Sequence, residues 1–362
     1  MSKETRIDIL DSFRFLAIIS VILYHYYSRW TIPAHTQNLY PYGNSYAGYF
    51  QYGYLGVEFF FMISGFVILY TLEKSGTYGG FLIKRFIRLF PPMLLCSIVT
   101  YLLVILLDKD NLFPVFHSSP HGFLPGLTFS NTKIWSDIFP DKNWAYIDGA
   151  YWSLHTEVTF YLISGLIYFS NRKNFISNWL VFSTIIIAAN ALHIHVFPNN
   201  VILTDFFNHF MLADYIIFFT VGILSYAYFF KKTLTKWNVI LSIFLILYEY
   251  HHYTYNWSIL LIISLSTLLF AIFAFKPSYL GFLKMKIFQR IGIISYTVYL
   301  FHQFAGVILI NKISAIIKLE FLTPFIPLLV ILLVLLFAEF SYRFYEKPVS
   351  AYLKKICHKY IQ

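Results

Sequence analysis

Residues 322–342 read LTPFIPLLVILLVLLFAEFSY, an uninterrupted apolar block whose one charge is Glu339. A helix needs about 20 such residues to cross the hydrocarbon layer of a bilayer, so the block predicts a membrane span. Nine more apolar blocks precede it, at about 13–29, 54–71, 89–107, 151–169, 179–197, 210–230, 237–250, 257–275 and 291–311, the seventh being the shortest. Helices are expected, because an isolated strand in lipid leaves its backbone polar groups unpaired. No short-period repeat and no Gly/Ser or Pro linker divides the chain, and no helix reads as broken. The predicted fold is an all-α polytopic bundle of about ten spans, with a transmembrane domain over 1–350 and a basic cytoplasmic tail over 351–362.

Composition agrees with this reading. Charged residues make up 12% of the chain and hydrophobic residues 58%, where a soluble domain carries about 25% charged residues. The net charge of +10 is read by location, because Lys and Arg sort to cytoplasmic loops. With the N-terminus inside, 21 of the 27 Lys and Arg fall on the inner side, which supports both an even span count and cytoplasmic termini. No basic run interleaved with exposed aromatics stands out, so nucleic acid is not an expected partner. Two cysteines, Cys96 in an apolar stretch and Cys357 in the basic tail, argue against a disulfide framework or a thiolate metal site. The first block follows a basic segment, but Ser28-Arg29-Trp30 is a poor cleavage site, and the block is expected to remain as a helix.

Ionisable side chains inside a bilayer are costly and usually functional. Four stand out: His25, Glu58 and Glu157, in the outer halves of spans one, two and four, and His302 near the middle of span nine. Spans one and two join on the outer side, so His25 and Glu58 are expected at similar depth, where a carboxylate would fix and activate an imidazole. On the inner side Arg14 opens span one, and Lys84-Arg85-Phe86-Ile87-Arg88 precedes Pro91-Pro92 and span three. Arg14 and His25 lie eleven residues apart, on one helix face and separated by ~16 Å. Arginine holds phosphate through a bidentate fork.

These pieces, with Gly56-Val57-Glu58-Phe59-Phe60 leading into Ser64-Gly65-Phe66, Trp152-Ser153-Leu154 before Glu157, Ser295-Tyr296 through Tyr299-Leu300 to His302, and Glu346-Lys347-Pro348, resemble the integral-membrane acyltransferase family 3. Its members are O-acyltransferases that modify cell-envelope glycans. The resemblance covers about 6–349. It implies a cytoplasmic acyl-CoA donor, an acceptor outside, essential roles for Arg14 and His25, and a donor-side place for Arg85 and Arg88. Many members carry a fused extracytoplasmic hydrolase-like domain. This chain ends without one, so it is expected to finish the transfer itself or hand the acyl group to a partner.

The expected function is membrane O-acyl transfer, with acetyl favoured, from acetyl-CoA to a hydroxyl of a surface glycan, by a multi-pass protein of a bacterial cytoplasmic membrane. His25 is the expected general base or transient acyl carrier, and Glu58 its orienting carboxylate; Glu157 and His302 complete the catalytic set. Arg14, Arg85 and Arg88 would bind the donor. Trp152, Ser153 and Tyr296 stand with them as candidate oxyanion donors. No metal is expected. O-antigen, capsule and exopolysaccharide are all open as acceptors. The alternative is a transporter or flippase of a lipid-linked glycan, because intramembrane His and Glu also serve proton relays; the arginine set, suited to a phosphorylated donor, argues against it.

Overall fold

The computed structural model describes residues 8–29, 42, 45–109, 111–113, 116, 121–231, 234–252, 255–317 and 319–361. Among these there is no strand. The main helices are α1 (Asp8–Tyr27), α2 (Gly56–Glu73), α3 (Tyr78–Leu107), α4 (Trp152–Ser170), α5 (Phe175–His195), α6 (Ile216–Tyr226), α7 (Lys236–His252), α8 (Trp257–Phe275), α9 (Lys286–Phe301), α10 (Phe304–Ile317), α11 (Ile326–Ser341) and α12 (Lys347–Ile356). Each expected block coincides with helix. Among the described residues six helical runs qualify as membrane spans by length and apolarity, and seven if a bent pair counts as one. The shorter apolar helices Ile216–Phe230 and Lys236–Tyr248, and α4 with its His155 and Glu157, are not among the six.

Two expectations change. The ninth span is not one straight helix: α9 and α10 meet at 79°, broken over His302-Gln303. The third helix starts earlier than the apolar block at 89–107. Thr77 caps the backbone N–H of Gly80 at 3.1 Å, and α3 runs from Tyr78 through Pro91 and Pro92, so Arg85 and Arg88 stand on the helix itself. The basic tail is helical too, formed by the end of α12 and by His358–Ile361.

The chain divides into two compact units interleaved in sequence. The first draws on Met1–Val57, Phe86–Ser153 and Met285–Lys355. Its axis is the contact of α1 with α9, which is close because Gly292 has no side chain: a methyl there would lie 1.8 Å from the carbonyl oxygen of Asp11. Small residues permit such approach where lipid supplies no hydrophobic drive between helices. Phe15 stacks on Phe288 at 4.3 Å. α11 packs on α9 and α10, with Phe301 stacked on Phe337 and Arg290 paired with Glu339. The second unit draws on Glu58–Arg85, Leu154–Lys284 and Ile356–Gln362. There α2 and α6 meet at Gly65 and Gly222, each of which would place a methyl 2.0 Å from a carbonyl oxygen of the other helix. Phe219 stacks between Phe61 and Phe160, and Trp179 donates to Thr220 at 2.9 Å.

Candidate active site

In the first unit the structure brings together two of the sequence-selected histidines. His25 on α1 and His302 at the α9–α10 break lie with ring centroids 5.0 Å apart, edge to face at 66°. His25 is half-buried and His302 fully buried. His302 Nδ1 lies 2.7 Å from the backbone oxygen of Tyr299. A carbonyl only accepts, so Nδ1 carries the proton, and in the neutral ring Nε2 carries the lone pair. That Nε2 is buried and has no hydrogen-bond partner among the described residues. His302 therefore presents a proton-accepting nitrogen fixed by its own backbone.

The break is held by side chains. A helix interrupted in a membrane must find other partners for its freed backbone groups. Asp148, fully buried, accepts from the backbone N–H of Phe304 at 2.8 Å and of Ala150 at 2.9 Å. Tyr26 donates to the carbonyl of His302 at 2.9 Å. The Tyr299 hydroxyl donates to the Ala150 carbonyl at 2.9 Å and lies 2.7 Å from Ser153 Oγ. Ser153 is thus buried beside Tyr299, whose backbone orients His302. Burial pushes the Asp148 carboxyl up to about 7, against the two N–H bonds that favour its charge.

Other selected residues of this unit stand elsewhere. Arg14 donates to Asp11 at 2.8 Å within α1. Arg88 is exposed on α3. Tyr296 donates to the carbonyl of Leu89 at 3.3 Å, which makes it a tie between α9 and α3. Trp152 is half-buried at the start of α4.

The second unit holds the remainder. Glu157 accepts from Ser64 at 2.8 Å and from the hydroxyl of Tyr161. The Arg85 guanidinium lies over the Tyr161 ring at 5.3 Å and donates to Thr71. Arg85 is only 7% exposed, in contrast to Arg88. Glu58 is buried near the start of α2. Among the described residues no three of His, Cys, Asp and Glu gather as metal ligands.

Sequence reading missed Asp148, Tyr26 and Tyr161. Asp148-Gly149 just before Trp152 was the available signal, since Asp is a preferred helix N-cap.

An acyltransferase-domain family model, that of acyltransferase family 3, matches residues 7–340. The chain is 25% identical over 375 residues to the O-acetyltransferase OatA of Staphylococcus aureus, a match that covers 94% of this chain and 56% of that relative. It is 30% identical over 175 residues to the O-acetyl transferase of Shigella phage Sf6, covering 48% of this chain and 50% of that relative. The chain thus spans about half the length of the curated relatives it matches. No solved structure matches it. Since the family match begins just before α1, ends within α11 and takes in both histidines, this multi-pass membrane protein belongs to acyltransferase family 3.

Proposed function

We propose that the protein transfers an acetyl group from acetyl-CoA to a hydroxyl of an extracytoplasmic glycan, with the His25–His302 pair as its proton acceptor. The observation that carries this reading, within a family of acyltransferases, is the pairing of two imidazoles 5.0 Å apart with the tautomer of one fixed. His25, the less enclosed ring, meets the acceptor. The hydroxyl oxygen attacks the thioester carbon, its proton passes to His25, and the C–S bond breaks to release the CoA thiolate, to which the proton then returns. A thiolate leaves readily, so no strong general acid is needed. Two imidazolium charges 5.0 Å apart repel strongly in a low dielectric, so the pair holds one extra proton at a time.

Arg88 is the residue best placed to meet a CoA phosphate, being exposed where Arg85 is enclosed. Purified protein in detergent is expected to bind and turn over acetyl-CoA. Arg88→Ala should weaken binding roughly tenfold to a hundredfold, the range for a lost charged hydrogen bond, with no loss of thermal stability. Lysine should restore part of it, since it lacks the fork. Wild-type protein that neither binds nor consumes acetyl-CoA would defeat the reading. It would favour the transporter alternative, which gains one feature from the structure: the broken α9–α10 pair is a device transporters use.

The proposed topology has ten crossings with both termini cytoplasmic. Lys173 should then face the cytoplasm, and Lys142 and Asn199 the outside, as the 21-to-6 division of Lys and Arg requires. Lys232, assigned to the inner side, lies outside the described residues. Cysteine substitution and impermeant labelling of intact cells reads this directly. Labelling at 173 would reverse the assignment.

A further inference from the structure

We propose that Asp148 and Tyr26 are positioning residues that clamp the α9–α10 break from two sides and thereby aim the His302 ring. The inference rests on the reading of His302 as part of the proton-accepting pair. The break runs through Leu300-Phe301-His302-Gln303-Phe304, a stretch without Gly or Pro, so local sequence does not impose it. What holds it comes from far away in the chain. Asp148 takes the N–H of Phe304, the first residue of α10, at 2.8 Å. Its second oxygen takes the N–H of Ala150 at 2.9 Å, at the turn Gly149–Tyr151 that leads into α4. One buried carboxylate therefore caps two helix starts, where the backbone dipoles favour negative charge. Tyr26, fully buried on α1, donates to the carbonyl of His302 at 2.9 Å, and Gly306 N–H reaches the same oxygen at 3.1 Å.

The packing leaves this arrangement little slack. A methyl at Gly306 would lie 1.9 Å from the Tyr26 oxygen, and one at Gly149 would lie 2.7 Å from the Gln303 amide nitrogen. Both backbone partners of the clamp flank the histidine: the carbonyl is its own, and the N–H is two residues on. Releasing either side lets the 302–304 segment turn, and with it the Nε2 lone pair. Neither clamp residue needs to touch the acceptor or the donor for this to matter.

The test is acetyl-CoA hydrolysis by full-length protein in detergent, with kcat and KM measured separately and thermal unfolding followed in parallel. Asp148→Asn keeps one acceptor but cannot accept from both N–H groups. It is expected to lower kcat roughly ten- to a hundredfold, the cost of misplacing a reacting group by about 1 Å, while the KM for acetyl-CoA stays within about threefold. Tyr26→Phe, which removes a hydroxyl and no buried charge, should show the same split, and it carries the test if Asp148→Asn does not fold. In a His302→Gln background Asp148→Asn should add no further loss, because residues acting through one group are not additive. Full kcat in Asp148→Asn or Tyr26→Phe beside a slow His302→Gln would overturn this inference alone, as would losses that multiply in the double variant. Full kcat in His302→Gln would overturn the catalytic reading beneath it, and the inference with it.

Discussion

His25→Gln is expected to lower glycan acetylation in cells at least about a hundredfold, the lower range for loss of a positioned general base, with protein level and acetyl-CoA binding in detergent unchanged. Glutamine keeps a hydrogen-bonding end but cannot take up a proton. Its site on α1 is half-buried, so the substitution leaves no large cavity and the loss is chemical. His302→Gln is expected to fall with it. Glutamine there can still donate to the Tyr299 carbonyl, yet it offers an oxygen or an amide where Nε2 offered a basic lone pair. Near-normal acetylation in His25→Gln would make that imidazole structural and move the base to His302.

The second large effect is on folding. Gly292→Ala puts a methyl 1.8 Å from the Asp11 carbonyl oxygen, a backbone atom that cannot rotate aside, so α1 and α9 must part. Overpacking of this kind costs about 1–3 kcal/mol, and parting these helices also disturbs the His25–His302 pair they carry. Membrane-fraction yield and thermal unfolding in detergent measure it. Gly79→Ala is the matched control, because nothing lies within 4 Å of the methyl it would add; in a helix it should be neutral or slightly stabilising. Equal stability of the two variants would mean that the α1–α9 contact is looser than described.

Composition made the helices legible, since apolar blocks of span length have few other ways to satisfy their backbone. Spacing placed Arg14 and His25 on one helix, where the structure sets His25 against His302 and Arg14 against Asp11. The break at His302 was not legible, because its cause is Asp148, about 150 residues earlier in the chain, and no local breaker marks it. Arg85 and Arg88 looked equivalent as a basic pair. Their difference comes from the surroundings of Arg85, namely Thr71, Phe81 and Tyr161, which no reading of the pair alone reveals. The helix α3 starts earlier than the apolar block at 89–107, because Thr77 supplies the cap and the charged turn 84–88 is helical as well.

The bond from Tyr26 to His302 joins positions 276 residues apart. Ribosomes add about 5–20 residues per second, so roughly 14–55 s separate the synthesis of the two ends. Through that interval α1 must wait in the membrane with an imidazole and a phenol whose partners do not yet exist, and it is the least apolar of the six span-length runs. The His25–His302 pair is therefore completed only when α9 and α10 have been made, and α1 is the helix that must wait for it.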